Sequence, residues 1–303
     1  MIISASRRTD IPAFFGGWFM NRIREKNVLV RNPMNPGQIS RIALDPEHVD
    51  CVVFWTKNAK NFIRHLDELE KAGYRYYFQY TLNCYGNDIE KNIDAESAVE
   101  TFTALSGLIG KKKVIWRYDP VIINDKYGAK YHAENFKRLC ARLSGFTERC
   151  VISFVDSYGF LVAAFRDHNI KELTEFQIHE IAGSISKTAE EYGISITSCC
   201  ETIDLSEYHI GRNKCVDNEL INELFGLNIG YKKDTGQRRE CGCCVSRDIG
   251  AYNSCLHDCV YCYAKRGGRK LTCDPSSPLL CDSVNGAGHN PEVLHLRFSL
   301  SKA

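Results

Sequence analysis

Between residues 1 and about 204 the chain alternates short β-type runs with amphipathic helical stretches, a pattern that commits it to parallel strands joined by crossover helices. Residues 2–6, 50–55, 74–80, 114–118, 150–155 and 194–198 read as six strands, rich in Val, Ile, Phe and Tyr. Helices are expected over 11–25, 61–72, 95–109, 133–143 and 174–192. Gly73, Gly110 and Gly193 stand where left-handed C-caps would end three of them, and Phe62, Leu66 and Leu69 set one apolar face toward a sheet. Six βα repeats point to a partial (β/α)6 barrel, with an open doubly wound sheet as the alternative.

Polar residues gather where each strand would end: Arg7, Arg8, Thr9 and Asp10; Thr56, Lys57 and Asn58; Thr81 and Asn83; Asp119; Asp156; Cys200 and Glu201. In barrels and open α/β sheets alike, sites form beyond the carboxyl ends of the strands, so these residues are expected to share one mouth. The simpler alternative for Asp10, Asn58 or Asp156 is that each caps the helix that follows it.

After residue 204 the repeat stops. Of the chain's 15 cysteines, 11 lie from Cys199 onward, which marks a metal-bearing C-terminal region rather than a disulfide framework. The expected division is a barrel over 1–204 and a cysteine-rich extension and tail over 205–303, folded across the mouth. Within the extension, Cys255-Leu256-His257-Asp258-Cys259-Val260-Tyr261-Cys262 offers three closely spaced thiolates. An electron-transfer [4Fe–4S] cluster normally takes four cysteines, so three leave one iron open for chemistry. The competing reading is a zinc site completed by a further cysteine or His257. Cys200, Cys215, Cys241 and Cys243 make a second set, with Cys199 and Cys244 beside them and Cys273 and Cys281 in the tail. These four suit a second [4Fe–4S] cluster, preferred here because a redox enzyme needs a route for electrons, or a closed zinc site, or simply small buried side chains.

The motif of three cysteines with an aromatic before the third resembles that of the radical S-adenosylmethionine (SAM) enzymes, although there it follows the first strand and here it arrives last. That permuted order resembles the bacterial and archaeal family of domain of unknown function 1848. The resemblance also rests on Arg7-Arg8-Thr9-Asp10-Ile11-Pro12, Phe54-Trp55-Thr56-Lys57-Asn58, Trp116-Arg117-Tyr118-Asp119-Pro120, Asp248-Ile249-Gly250-Ala251-Tyr252-Asn253 and Asp274-Pro275-Ser276-Ser277-Pro278-Leu279-Leu280. It implies a radical-SAM-like cluster on Cys255, Cys259 and Cys262, with Tyr261 beside the adenine, and it implies no substrate. The Gly-Gly-Glu run that holds the SAM amino group in radical SAM enzymes is absent after the second strand. Thr56, Asn58, Asp119 and Asp156 are candidates to replace it, and Arg7, Arg8 or Arg117 can take the SAM carboxylate. Arg117 and Asp119 can equally be a plain strand-end ion pair.

Thirty-nine Lys and Arg against 37 Asp and Glu give a net charge of +2, which demands no nucleic-acid or membrane partner. Residues 230–270 are locally basic through Lys232, Lys233, Arg238, Arg239, Arg247, Lys265, Arg266, Arg269 and Lys270. They are read as balancing thiolate charge in preference to holding an anionic substrate, a nucleic acid or a reductase. Neither a membrane span nor a secretory signal is evident, so a cytoplasmic protein is expected. Two functions follow. One is an enzyme that cleaves SAM reductively to a 5′-deoxyadenosyl radical acting on an unidentified substrate, with a reductase or ferredoxin-type electron donor. The other is a non-catalytic iron-sulfur or zinc redox module.

Overall fold

The computed structural model describes residues 1–266 and 273–282; Arg269, Lys270 and the tail past 282 lie outside the described residues. The strands are β1 (Ile2–Ala5), β2 (Asn27–Asn32), β3 (Asn35–Ala43), β4 (Cys51–Thr56), β5 (Tyr76–Thr81), β6 (Val114–Val121), β7 (Arg149–Phe154), β8 (Ser195–Ser198), β9 (Gly211–Arg212) and β10 (Arg247–Asp248). Eight of them form one sheet in the order β10-β1-β4-β5-β6-β7-β8-β9, and every pairing in it is parallel. The six expected strands are neighbours in chain order, without the reversal that a doubly wound sheet requires. Among the described residues no pairing joins β10 to β9, and the protein is an α/β fold built on an eight-stranded parallel sheet.

The helices are α1 (Ile11–Phe14), α2 (Gly16–Arg24), α3 (Leu66–Lys71), α4 (Ala95–Ile109), α5 (Ala129–Leu143), α6 (Val162–Asp167), α7 (Glu175–Glu191) and α8 (Asn218–Phe225). Their starts are chemically marked. Asp94 accepts from Glu96 N and Ser97 N at the head of α4, and Thr174 with Gln177 forms a capping box on α7. The short α6 and α8 and the β2–β3 hairpin carry no expectation from the sequence.

The two faces of the sheet are covered by different parts of the chain. Val52, Phe54, Phe78, Tyr80, Trp116, Tyr118 and Ile152 pack with side chains of α2, α3, α4, α5 and α7 in the main core. On the opposite face Ile2, Cys51, Val53, Tyr77, Ile115 and Val151 pack with Cys215, Val216, Cys241, Cys243, Cys244 and the α8 residues Leu220 and Ile221. Burial on both faces is why these strands read as continuous apolar runs.

At one sheet edge the C-terminal chain is locked to the first strand. The Asp248 carboxylate accepts from Ser4 Oγ at 3.1 Å, Ser6 Oγ at 2.6 Å, Arg7 N at 2.8 Å and Gly250 N at 3.0 Å. Gly250 has to be glycine there, because a Cβ would stand 2.1 Å from Ser6 Oγ. A second return wraps residues 273–282 over α2 and the hairpin: Trp18 Nε1 donates to Ser277 O at 2.9 Å, Leu29 N to Pro278 O at 3.0 Å, and Cys273 is bridged to Cys281.

His132 on α5 is buried with Nδ1 2.8 Å from Tyr118 Oη and Nε2 2.7 Å from Ile122 O. The carbonyl can only accept, so Nε2 carries the proton and Nδ1 accepts from the tyrosine. Burial pushes the imidazole pKa down to about 4 from 6.5. The unfolded chain therefore binds the extra proton first, and stability present above pH 6.5 drains away as pH falls toward 4. Urea midpoints between pH 7 and pH 5 should show about 2 kcal/mol of pH-dependent loss that is missing from His132→Asn.

Candidate functional site

The loop carrying Cys255, Cys259 and Cys262 is fastened to the segments that follow β1, β4 and β5. His257 Nε2 lies 2.8 Å from Asp10 Oδ2, with side-chain exposures of 5% and 6%. The same carboxylate accepts from Lys57 N at 2.7 Å and caps α1 through Ala13 N at 2.9 Å, so Asp10 has both the capping role and a site role. Tyr261 Oη is held from three sides: Lys57 Nζ at 2.9 Å, Asn83 Nδ2 at 3.1 Å, and the Glu90 carboxylate, to which it donates. Lys57 Nζ is also 2.7 Å from Glu90 Oε1. Asn83 carries the connection to β6, taking Asp119 N at 2.7 Å and giving to Asp119 O at 3.0 Å.

Burial governs the three thiols. It pushes Cys255 up to about 12, with Asp10 adding to it, and it raises Cys259 and Cys262, which Lys57 pulls the other way. For Lys57 itself burial disfavours the charge, but Glu90 and the thiols of Cys259 and Cys262 outweigh it and the ammonium is held above its ordinary range. The three cysteines sense one another's charge, and Cys259 and Cys262 share the Lys57 cation. Buried polar atoms without partners among the described residues include Arg7 Nη2, Thr9 Oγ1 and His257 Nδ1. Such atoms are rare in a finished interior.

A second set of thiols covers the other face of the sheet, beside α8. Cys199 Sγ and Cys215 Sγ are 3.5 Å apart. Cys215, Cys241 and Cys243 sit in one buried cluster, and Cys199 and Cys200 pack against it. Donors are aimed at the sulfurs: Arg117 Nη1 at 2.8 Å and Asn213 Nδ2 at 2.9 Å on Cys215, and Val216 N at 3.3 Å on Cys243. The Cys215 carbonyl is anchored to β5 by Tyr77 Oη at 2.6 Å and Gln79 Nε2 at 2.9 Å. Hydrogen bonds from Cys215 and Cys241 hold the Cys243 thiol well below its usual range. One from Cys215, helped by Arg117 against burial, draws Cys199 down to about 6. The four cysteines of the sequence-derived second set thus come together, with Cys199 among them.

Trp55 packs against this second thiol cluster, with the guanidinium groups of Arg7 and Arg117 each 5.1 Å from its ring centroid. Arg117 is fully engaged by Asp119, Gln79 and Cys215. Arg8 lies 3.8 Å from Asp248 and over the Tyr252 ring, so of the three arginines Arg7 is the one with an open buried donor. Thr56 and Asn58 make a local turn, accepting from Asn58 N at 3.1 Å and Lys60 N at 3.0 Å. Asp156 pairs with half-exposed Arg238, and Lys265 of the basic stretch pairs with Asp258. Glu201, accepting from Phe154 N at 2.9 Å, is pushed up to about 7 by burial.

Among the described residues no three His, Cys, Asp or Glu side chains stand around one point as a preformed single-ion cage. A cubane cluster makes a different demand, because each thiolate takes its own iron. Glu90 is the residue that sequence patterning misses. It lies in the connection over residues 82–94, too long for an ordinary βα loop, and that length is itself the signal.

The family described as domain of unknown function (DUF1848) matches residues 2–264. Comparison with curated proteins gives no match. Among solved structures, a Bacteroides thetaiotaomicron protein described as a candidate alpha-L-fucosidase aligns at 13% identity and a TM-score of 0.25, over 54% of this chain and 69% of that one, a likeness that carries no argument. No described helix is long and apolar enough to cross a membrane.

Glu90 is 1% exposed, so its carboxylate depends on the Lys57 ammonium. Lys57→Met should lower unfolding stability by about 3 kcal/mol, and adding Glu90→Gln should restore part of it, as read by chemical denaturation.

Proposed function

This chain belongs to the family of domain of unknown function 1848, which names no reaction, and we propose from its site that it is an iron-sulfur enzyme using SAM in the manner of radical SAM proteins, on a partial (β/α)6 barrel. One observation carries this reading. The loop with three cysteines is bound to the residues just beyond the carboxyl ends of consecutive parallel strands, where α/β proteins assemble their sites.

The residues at hand fit the absent groups. Cys255, Cys259 and Cys262 supply three thiolates, and the buried Lys57 ammonium offsets the charge of Cys259 and Cys262. Arg7 offers a carboxylate an N–H that already lacks a partner, while Thr9 Oγ1 and His257 Nδ1 bring acceptor lone pairs for an ammonium. Three hydrogen bonds at its hydroxyl fix the Tyr261 ring in one orientation. Tyr85, Ile89, Ile122, Leu161 and Phe165 pack around Cys259 and Tyr261 and keep water from these two side chains. When bound, a three-cysteine [4Fe–4S] cluster with SAM supplies a single electron for cleaving the sulfonium, giving methionine and a 5′-deoxyadenosyl radical. The chain's own part is to seat the carboxylate, hold the ring and exclude solvent. A cytoplasmic setting with a reductase or ferredoxin-type electron donor accords with that chemistry.

The redox-module reading has its own support: Thr56, Asn58, Arg117, Asp119 and Asp156 are all engaged within the protein, and no Gly-Gly-Glu run replaces them. The two readings separate in one experiment. Anaerobically reconstituted, reduced protein should convert SAM to 5′-deoxyadenosine and methionine slowly without added substrate. Cys262→Ala should abolish this, and Arg7→Gln should raise the SAM concentration needed by roughly 10-fold or more. Reduced, cluster-loaded protein that neither cleaves SAM nor changes its cluster spectrum on SAM addition is a redox module.

A further inference from the structure

We propose that Cys199 and Cys215 are a redox-active pair that closes reversibly to a disulfide by exchange with a low-molecular-weight disulfide. This takes Cys215 out of the second metal set that spacing suggests and joins it to Cys199, the residue beside that set. The chemistry needs neither SAM nor a metal.

The geometry is that of a pair ready to close. The two sulfurs are 3.5 Å apart, against about 2.05 Å in a disulfide, so closure asks for about 1.5 Å of approach. The backbone on both sides is already placed for it. Ser198 and Arg212 are partners in the parallel register of β8 and β9, Cys199 N donates to Ile152 O at 2.8 Å, and Asn213 N donates to Ser198 O at 2.8 Å. The Cys215 carbonyl is held by Tyr77 Oη at 2.6 Å and Gln79 Nε2 at 2.9 Å. With both main-chain segments pinned to the sheet, the remaining approach is left to rotation of two short side chains.

The two sulfurs have different surroundings, and this gives each its role. Cys215 is 2% exposed and Cys199 is half-buried, so an incoming disulfide meets Cys199 first. Arg117 Nη1 at 2.8 Å and Asn213 Nδ2 at 2.9 Å aim N–H groups at Cys215 Sγ, and Asn213 Oδ1 accepts from Thr197 Oγ1 at 3.1 Å, which fixes the amide. Such donors stabilise negative charge on the sulfur, the form in which it attacks or leaves.

Exchange runs in two displacements. The Cys199 thiolate attacks one sulfur of the small disulfide RSSR, whose S–S bond breaks, giving a mixed disulfide and one RS⁻. The Cys215 thiolate then attacks the Cys199 sulfur, forming the Cys199–Cys215 bond and expelling the second RS⁻. The two thiol protons end on the expelled thiolates, so the protein gives up two electrons and RSSR becomes two RSH. In the reverse direction Cys215 is the leaving thiolate, and the same donors serve it. The bond closes residues 200–214, with β9 inside them, into a loop, so the thiol–disulfide poise of the surroundings decides whether this segment is stapled.

The test uses the full chain without SAM or a loaded cluster, so its outcome is independent of SAM cleavage. Protein equilibrated with reduced and oxidised glutathione is quenched with acid, alkylated and digested with trypsin. Cleavage separates residues 188–212, which carry Cys199 and Cys200, from residues 215–232, which carry Cys215 alone. Oxidised glutathione should build up these two peptides as a linked species with the bond at Cys199, and dithiothreitol should return both as free thiols. Cys199→Ser should lower the linked species by roughly 10-fold or more, whereas Cys200→Ser should keep it. Mapping of the unmodified chain decides the matter even where a variant fails to fold. Cys215 left as a free thiol under oxidised glutathione, whether bare or covered by a bound metal, would overturn the proposal. So would its linkage to Cys200, or to residues 240–247 with Cys241, Cys243 and Cys244.

Discussion

A parallel sheet has two faces that must both leave water, and when the crossover helices pack on one of them the other has to be covered by something else. Here α2, α3, α4, α5 and α7 share the core with one face, while Ile2, Cys51, Val53, Tyr77, Ile115 and Val151 on the other are met by Cys215, Val216, Cys241, Cys243 and α8. The C-terminal chain is therefore the missing half of the sheet's core. Cys215, Cys241, Cys243 and Cys244 are where they are because that chain has to be where it is, and this second thiol group owes its position to one demand for burial.

The covering segment also wires charge into the interior. Trp55 stands between the Arg7 and Arg117 guanidinium groups, which look toward thiols on the sheet face, while Lys57 serves the thiols of the loop beyond the strand ends. Buried cations of this kind are costly unless something anionic meets them. Asp119, Glu90 and Asp248 meet part of that demand. The sulfurs meet more of it, and the orphaned Arg7 Nη2 is what remains over.

Much of the frame was legible in the residues. All six expected strands form within two residues of their expected limits at the N-terminal end, since strands buried on both faces leave continuous apolar runs that few other structures produce. Helices α4 and α7 begin where Asp94 and Thr174 can cap them. The hairpin over residues 27–43 went unseen because it faces solvent along most of β3 and carries little alternation, although Asn32-Pro33 and Asn35-Pro36-Gly37 are turn signals. Within the site, Asp10, Lys57 and Asn83 stood out as strand-end polar residues, whereas Glu90 is reached only by the fold of a loop. Cys199 is one residue from Cys200, and spacing alone has no means of saying which of two adjacent thiols turns inward.

The Asp248 lock has a consequence for how this protein comes into being. Ser4 is bound to a residue 244 positions further on, so while the ribosome is still adding the sheet and its helices, one border of β1 has no neighbour. An unpaired strand border invites pairing with another chain. The newborn protein carries that exposure until residues 247–248 emerge, and a form lacking them keeps it. Shortened forms thus present, as a matter of chain order, a strand border that the full chain keeps paired.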